Sequence, residues 1–296
     1  MNSNEWAGHR RASGHGQYAR GPAPAGARLV VSSSSSWRDE TTLCPASEAC
    51  YSLPLVLSSA ARLGLWWRAW RYRLRLDRRE INYLLRHLST GQCAVDVGAH
   101  KGAYTYWLQR AVGPNGRVFA FEPQPELADR LRATLAASGV THVRVENLGL
   151  SDRCGSAVLM QPSGSTCSAT LEKRSGIHSS RTVQVVTLDS YFQASNARIA
   201  LLKCDVEGHE LAVFRGATRI LREHRPLLMF ECETRHLTHG SVFDVFRLLE
   251  HEGYQGWFFW KRALCPVSEL RPELHQVPGR TPYVNNFIFA VRRRPA

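Results

Sequence analysis

The sequence predicts an α/β fold with a doubly wound, mostly parallel sheet of seven strands and an antiparallel edge strand. From Cys93 onward, short apolar strands alternate with helices of about ten to fifteen residues, the spacing of right-handed βαβ crossovers. The last two strands lack a long helix between them and therefore pair antiparallel at one edge. A chain of 296 residues with 44% hydrophobic residues is long enough to cover both faces of such a sheet.

The elements follow from the residue pattern in chain order. Leu127, Leu131 and Leu135, spaced four apart, mark one face of a helix. The seven predicted strands cover residues 94–97, 117–121, 143–148, 199–204, 226–231, 255–260 and 286–291. The predicted helices between them cover residues 103–112, 126–137, 210–223 and 242–252. A hairpin around residues 157–160 and 183–186 interrupts the alternation.

Three regions of different composition are predicted. Residues 1–50 are rich in Gly, Ser, Arg and Pro, include a serine run at 32–36, and are predicted to be disordered. Their arginine-rich, acid-poor composition is also typical of a transit peptide. Residues 51–90 are predicted to be a basic helical region, and residues 91–296 the domain that holds the sheet.

The basic region carries an apolar stripe beside arginines. Ile81, Leu84, Leu85 and Leu88 share one helix face, while arginines flank the tryptophans of residues 66–70. We expect this region to pack on the core and to leave a solvated basic face. Contact with a membrane surface or a partner through residues 53–80 is the alternative.

Charge and cysteine content exclude several function classes. The formal charge of +13 comes from 38 basic and 25 acidic residues, and only four of the basic residues are lysines. The sequence lacks the aromatic-interleaved basic motif of a nucleic-acid module. No nucleic-acid partner is expected. Eight scattered cysteines contain no C-x-x-C pair, so neither a zinc site nor a disulfide framework is predicted. No signal peptide is recognisable, and the expected location is the reducing cytoplasm.

A glycine turn follows the first strand. The run from Asp96 through Gly98, Ala99 and His100 to Gly102 permits a tight turn and close approach of the backbone to a ligand. Ala99 and His100 stand where a dinucleotide fingerprint has its second glycine. Asp96 disfavours a pyrophosphate neighbour and favours a cation or an ammonium group. A plain βα turn without a ligand is the alternative.

Carboxylates and hydroxyls follow the next strands. Glu122 lies 24 residues after Gly98, where a carboxylate can accept both hydroxyl hydrogens of a ribose. Ser151 and Asp152, after the third strand, can border an adenine or form a simple Asx turn. The fourth strand is followed by a dense group of ionisable residues that suggests a functional site. These are Asp205, Glu207, His209 and Glu210, joined by Glu231 and Glu233 after the fifth strand.

With these motifs, residues 81–291 resemble a class I S-adenosylmethionine-dependent methyltransferase of the FkbM family, a Rossmann-like fold. The resemblance rests on the segments 95–102, 121–123, 150–152, 187–191, 203–210 and 286–289. His100 stands where family members often have asparagine. The domain of residues 91–296 is thereby identified as an FkbM-type methyltransferase domain, with S-adenosyl-L-methionine as its cofactor.

The resemblance implies roles for the candidate residues. Asp96 and the backbone of residues 98–102 would hold the methionine moiety, and Glu122 the ribose. Ser151 and Asp152 would border the adenine. A hydroxyl acceptor needs a general base, for which His209 is the first candidate, followed by Glu207 and Asp205.

The predicted reaction is O-methylation of a small metabolite, a sugar or a glycan. Asp205, Glu207 and Glu231 could instead bind a divalent cation, but no metal is expected for this family. An NAD(P)-dependent oxidoreductase and a non-catalytic scaffold are the rival functions. The oligomeric state stays open.

Overall fold

The computed structural model describes residues 55–162, 169–172 and 179–291, with side chains from residue 59 onward. The segment predicted to be disordered, residues 1–50, lies outside the described residues. The strands in the described part are β1 Cys93–Val97, β2 Arg117–Phe121, β3 Val143–Glu146, β4 Gly149–Leu150, β5 Gly155–Gln161, β6 Ser179–Val186, β7 Ile199–Cys204, β8 Leu227–Glu231, β9 Tyr254–Trp260, β10 Ala263–Pro266 and β11 Asn286–Val291. The α-helices are α1 Leu55–Arg71, α2 Arg78–His87, α3 Ala103–Val112, α4 Pro125–Ala137, α5 Leu188–Tyr191, α6 Glu210–Arg215, α7 Thr218–Glu223, α8 Val242–His251 and α9 Pro272–His275.

The main sheet has the strand order β10-β9-β11-β8-β7-β1-β2-β3. The strands from β8 to β3 run parallel, and β11 lies antiparallel between β8 and β9. Val95 of β1 joins a buried cluster with α6, α7 and α8, while its neighbour Ala94 joins a second cluster with α2 and α3. The predicted doubly wound, mostly parallel sheet with an antiparallel edge is confirmed.

The main sheet has eight strands where the sequence pattern predicts seven. The additional edge strand, β10, pairs antiparallel with β9 around a tight turn at Lys261 and Arg262. Lys261 has a φ of +51°, a conformation that glycine or asparagine usually occupies. Since the turn carries neither residue, the sequence holds no hairpin signal at this position.

Two predicted elements are shorter than expected. The predicted third strand ends at Glu146, and β4 then joins β5 and β6 in a second, three-stranded sheet that contains the predicted hairpin. The helix predicted over 210–223 is divided into α6 and α7 at Gly216. A Cβ at Gly216 would lie 2.0 Å from the carbonyl oxygen of Ser151, so the chain bends where the second sheet approaches.

The helices before the sheet pack on other helices, with α1 against α3 and α4 and α2 against α3. Leu65 and Ala69 of α1 are buried, and the Trp107 indole donates a hydrogen bond of 2.9 Å to the Ala69 carbonyl. One π-helical turn, Tyr72–Leu76, connects α1 to α2. α2 buries Ile81 and Leu84 of the predicted stripe. No helix among the described residues has the length and hydropathy needed to span a membrane.

Candidate active site

The carboxyl ends of β1, β2, β7 and β8 meet at a cleft with a cavity volume of about 200 Å³. Ligands of open α/β sheets bind at this edge. The predicted site residues that line the cleft are Asp96, Gly98, Ala99, His100, Glu122, Asp205 and Glu207. Those that do not line it, within the described part of the chain, are Gly102, Ser151, Asp152 and His209.

The turn after β1 requires glycine at position 98. Gly98 has a φ of +76°, and a Cβ there would lie 1.9 Å from the carbonyl oxygen of Asp205. The amides of Gly98 and Ala99 both donate hydrogen bonds of 3.0 Å to the carbonyl of Phe121. The turn therefore holds the ends of β1, β2 and β7 against one another and leaves no room for a larger residue.

Gly102 ends the same turn at the start of α3 and allows α4 to pack closely there. It has a φ of +79°, and a Cβ there would lie 2.5 Å from Cδ1 of Leu131. Between the two glycines, His100 lines the cleft with a φ of +49°. Burial, with Lys101 and Arg68 nearby, lowers the pKa of His100 to about 4. The imidazole is therefore neutral at physiological pH.

Glu122 presents a buried carboxylate to the cleft, with only 3% of its surface exposed. Its Oε2 accepts a hydrogen bond of 2.8 Å from the amide of His100, and its Oε1 one of 2.9 Å from the amide of Gln124. Burial raises the pKa of Glu122 to about 7, although these hydrogen bonds oppose the rise. The Gln124 side chain also donates to this carboxylate. An ionised carboxylate has about four acceptor sites, so two further donors fit once that side chain moves away.

Asp96 lies at the floor of the cleft and is 1% exposed. The Thr105 hydroxyl donates a hydrogen bond of 2.5 Å to its Oδ2. Burial raises the pKa of Asp96, while the nearby Lys203 ammonium opposes the shift. The residue is thus a fixed acidic group whose orientation is set by α3.

Lys203 is a cleft residue outside the set predicted from the sequence. Its side chain is 2% exposed, its Nζ lies 3.2 Å from Oδ2 of Asp205, and it stands 4.6 Å from the ring centre of Tyr104. Burial disfavours its charge, yet Asp205 together with Asp96 and Glu231 raises the pKa of Lys203 well above its ordinary value. The sequence signal that could have identified Lys203 is the presence of a lysine within the apolar run of β7.

The loop after β7 brings two predicted carboxylates into the cleft. The Asp205 side chain is 33% exposed and faces Lys203. Glu207 has a φ of +55°, and its Oε2 lies 2.8 Å from Nδ1 of His236. Its carbonyl accepts a hydrogen bond of 2.9 Å from the Thr170 hydroxyl, which connects the loop to the second sheet. Asp205 is therefore the more accessible of the two.

His209, the first candidate for the general base, has both ring nitrogens engaged. Its Nε2 is 2.9 Å from the Ser151 hydroxyl, and its Nδ1 is 2.6 Å from Oε1 of Glu172. The residue is buried and does not line the cleft. The geometry favours a positioning role in which His209 ties the loop after β7 to β4 and the second sheet.

The predicted adenine border also differs from the sequence expectation. Ser151 is buried against His209, and Asp152 forms an exposed pair with Arg153. The corresponding side of the cleft is lined by residues that are mainly apolar. These are Leu148, Gly149, Leu150, Leu159, Ala169, Thr170 and Leu171.

Glu231, at the end of β8, lines the cleft and shares a hydrogen bond with Glu233. Burial raises the pKa of Glu231 well above its usual range, and Asp205 adds to the shift. Although burial opposes ionisation of Glu233, hydrogen bonds from Arg235, Glu231 and Tyr283 lower its pKa. A protonated Glu231 therefore donates to an ionised Glu233.

The basic helical region also reaches the cleft. Arg68 of α1 and Tyr72 of the π-helical turn line it, and Arg68 donates a hydrogen bond of 3.2 Å to the carbonyl of Lys101. In the described residues, no group of three or more His, Cys, Asp or Glu side chains is arranged to hold a metal ion. The expectation that no metal is used stays a prediction.

Comparisons with known proteins agree with the motifs. Residues 96–255 match the family model described as the Methyltransferase FkbM domain. The hexuronic acid methyltransferase AglP of Haloferax volcanii is 29% identical over 155 residues, which cover 52% of this chain and 62% of the relative. A methyltransferase FkbM structure from Methylobacillus flagellatus is 16% identical with a TM-score of 0.45, over 79% of this chain and 59% of that one.

A further solved structure, an S-adenosylmethionine-dependent O-methyltransferase from Thermotoga maritima, is 16% identical with a TM-score of 0.41. That match covers 74% of this chain and 67% of the other. The chain thus spans less than two thirds of the length of AglP and of the Methylobacillus protein. Because residues 96–255 make up more than half of the sequence, the match to their family model shows that the chain belongs to the FkbM methyltransferase family.

Proposed function

We propose that this chain is an S-adenosylmethionine-dependent methyltransferase that acts on a hydroxyl of a small metabolite, a sugar or a glycan. The observation that carries the proposal is the buried carboxylate of Glu122, held by the amides of His100 and Gln124 beside the glycine turn. An ionised carboxylate only accepts hydrogen bonds, which suits the two hydroxyl hydrogens of a ribose.

The remaining cleft residues fit the other parts of the cofactor. Asp96 suits an ammonium group, and the backbone of residues 98–102 suits the methionine end that carries it. Since Ser151 and Asp152 do not line the cleft, we assign the adenine to the apolar side instead. The residues proposed to contact the adenine are Leu148, Leu150 and Leu171.

When bound, S-adenosylmethionine supplies a methyl carbon activated by a positively charged sulfur. Cleft carboxylates favour such a cation, and the buried Lys203 offsets part of their charge. The chain's own task is to position the acceptor oxygen in line with this carbon, since positioning supplies much of the rate in such displacements.

A hydroxyl acceptor loses its proton during the transfer and needs a general base. We assign this role to Asp205, because its carboxylate lines the cleft, is accessible and is oriented by Lys203. Glu207 lies against His236, and both nitrogens of His209 are engaged. These contacts make Asp205 the better-placed acceptor of the proton.

The proposed acceptor is a sugar with an acidic group. AglP is described as a hexuronic acid methyltransferase, and the cleft offers cations for a carboxylate. Arg68 and Lys101 line the cleft at its border with α1. A guanidinium and a carboxylate form charge-assisted hydrogen bonds, which would orient the sugar and leave a hydroxyl for reaction.

The cofactor is tested by thermal denaturation of the full chain with S-adenosylhomocysteine and, separately, with NADH. We expect S-adenosylhomocysteine to raise the melting temperature and NADH to leave it unchanged. A shift with NADH alone would favour the oxidoreductase alternative. The absence of any shift would favour the scaffold alternative.

The acceptor is tested by incubating the protein with S-adenosylmethionine and a panel of hexuronic acids, matched neutral sugars and amino sugars. We expect a mass increase of one methylene unit on the hexuronic acids, with S-adenosylhomocysteine formed in equal amount. Methylation of the neutral sugars alone would contradict the acidic acceptor. Methylation at nitrogen would contradict O-methylation.

A further inference from the structure

The outer face of α1 exposes large apolar side chains. Leu63, Trp66 and Trp67 are 66%, 49% and 59% exposed, whereas Leu65 and Ala69 on the opposite face are buried. The π-helical turn continues the exposed set with Leu74 and Leu76. Only three other large hydrophobic residues of the described chain are comparably exposed, and they are Val158, Leu264 and Leu274. The apolar exposure is thus concentrated in residues 63–76.

Arginines border this apolar face. Arg62 and Arg71 lie on either side of it along α1, and the Arg71 guanidinium stands 5.7 Å from the ring centre of Trp67. Residues 51–90 contain eight arginines and two acidic residues. The two acids, Asp77 and Glu80, are half-buried, and Asp77 accepts a hydrogen bond from the Tyr104 hydroxyl. They therefore do little to neutralise the arginines at the surface.

A basic groove lies between α2 and the end of β9. It has a cavity volume of about 390 Å³ and is lined by four arginines with Asn82, Tyr83 and Phe259. The four arginines are Arg78, Arg79, Arg86 and Arg262. Guanidinium groups form bidentate hydrogen bonds with phosphates, so the groove suits a phosphate-bearing headgroup.

We propose that residues 59–86 dock this chain on the surface of an anionic phospholipid bilayer. Tryptophan and leucine beside arginine form the amphipathic surface that inserts at the level of the headgroups, and the arginines match the negative charge of the bilayer. A two-fold contact with a second copy would bring the same arginines of both chains together. The charge pattern therefore favours the bilayer over self-association.

Docking would also place the cleft beside the bilayer. Arg68 and Tyr72 belong to the same segment and line the cleft, while Leu63, Trp66 and Trp67 point away from the core. A surface-bound α1 therefore holds one wall of the cleft at the membrane interface. The docking itself does not depend on the proposed activity.

The test is flotation of the full chain with vesicles of phosphatidylcholine alone and vesicles that also contain phosphatidylglycerol, at low and high salt. We expect binding to the anionic vesicles at low salt. High salt or removal of the anionic lipid should weaken binding by about tenfold or more, since several arginines lie near the surface.

Two sets of variants separate the apolar and the charged contributions. The combined Leu63→Ser, Trp66→Ser and Trp67→Ser variant should lose flotation, and the combined Val158→Ser, Leu264→Ser and Leu274→Ser control should keep it. Replacing Arg62, Arg71 and Arg75 by Gln should weaken flotation. The matched control replaces Arg198, Arg271 and Arg280 by Gln, which removes the same charge elsewhere.

The melting temperature of each variant is measured alongside, so that loss of flotation is read only from folded protein. Absence of flotation by the full chain, or equal flotation of the Leu63, Trp66 and Trp67 variant and its control, would overturn the proposal. Two other occupants would also overturn it. One is a second copy, revealed by self-association that the variant abolishes, and the other is mixed-sequence RNA bound in place of vesicles.

Discussion

Oε2 of Glu122 accepts a hydrogen bond of 2.8 Å from the backbone amide of His100, which connects the end of β2 to the turn after β1. His100 adopts a φ of +49° at this point, in the left-handed region that asparagine and glycine favour. The contact makes the position of the carboxylate depend on the conformation of the glycine turn. The two sequence motifs are therefore structurally coupled.

The first prediction concerns the pH dependence of cofactor binding. Burial raises the pKa of Glu122 to about 7, and only the ionised carboxylate can accept a hydrogen bond from both ribose hydroxyls. The dissociation constant of S-adenosylhomocysteine should therefore rise by up to about tenfold for each pH unit below about pH 7. Titration calorimetry at several pH values measures this. A flat profile across the acidic range would contradict the role of Glu122.

The second prediction concerns the space at Gly98. Gly98→Ala places a Cβ 1.9 Å from the Asp205 carbonyl and should lower the free energy of unfolding by roughly 3 kcal/mol or more. Gly139 is a matched control, because it has a similar φ of +68° with no atom within 4 Å of an added Cβ. Gly139→Ala should cost only the strain of the left-handed backbone, about 1–2 kcal/mol. Equal losses in urea titrations would show that steric contact at Gly98 is unimportant.

The third prediction concerns the buried carboxyl of Glu210. Its Oε1 accepts hydrogen bonds from the amides of Val206 and Gly208, and its Oε2 is buried without a partner among the described residues. Burial raises the pKa of Glu210 from about 4.5 to about 7. The stability that the bound proton confers is fully present below about pH 4.5 and is lost as the pH rises through about 7.

Glu210→Gln should remove this loss of stability at high pH, because the amide is uncharged and keeps an acceptor oxygen. At about pH 8 the variant should have the higher free energy of unfolding, by up to about 3 kcal/mol, and at about pH 4 the two proteins should be alike. Guanidinium titrations at both pH values measure the difference. A variant that is less stable than the wild type at the higher pH would overturn this explanation.

The fourth prediction separates Asp205 from His209 as the general base. With an acceptor identified in the sugar panel, Asp205→Asn should lower kcat by about 10²-fold to 10⁴-fold. His209→Gln should alter kcat by less than about tenfold but lower the melting temperature, since the contacts with Ser151 and Glu172 are weakened. The opposite ranking of the two kcat values would return the general base to His209.

Much of the fold follows from local sequence patterns. The alternation of apolar strands and amphipathic helices predicts the parallel sheet, and the residues at the strand ends predict most of the cleft. The edge strand β10 was missed because its turn at Lys261 and Arg262 carries no turn-forming residue. The break between α6 and α7 depends on the approach of Ser151 to Gly216, a contact between distant segments.

The site was less predictable where side chains orient one another. Sequence adjacency groups His209 with Asp205 and Glu207, yet the structure turns His209 towards Ser151 and Glu172. Lys203 is one polar residue in a buried strand, and only the fold brings Asp96 of β1 and Glu231 of β8 near it. The contribution of Arg68 depends on the packing of α1, which no local motif encodes. The cytoplasmic location stays a prediction.

The most direct test of the central claim is calorimetric titration of S-adenosylhomocysteine into the wild type, Glu122→Ala and Glu126→Ala. Glu126 is a suitable control because it lies only four residues away, is 68% exposed and pairs with Arg181 at the surface. We predict tight binding at a single site by the wild type and by Glu126→Ala, and an affinity lower by roughly a hundredfold for Glu122→Ala. Equal affinities for all three proteins would contradict the assignment of the cleft.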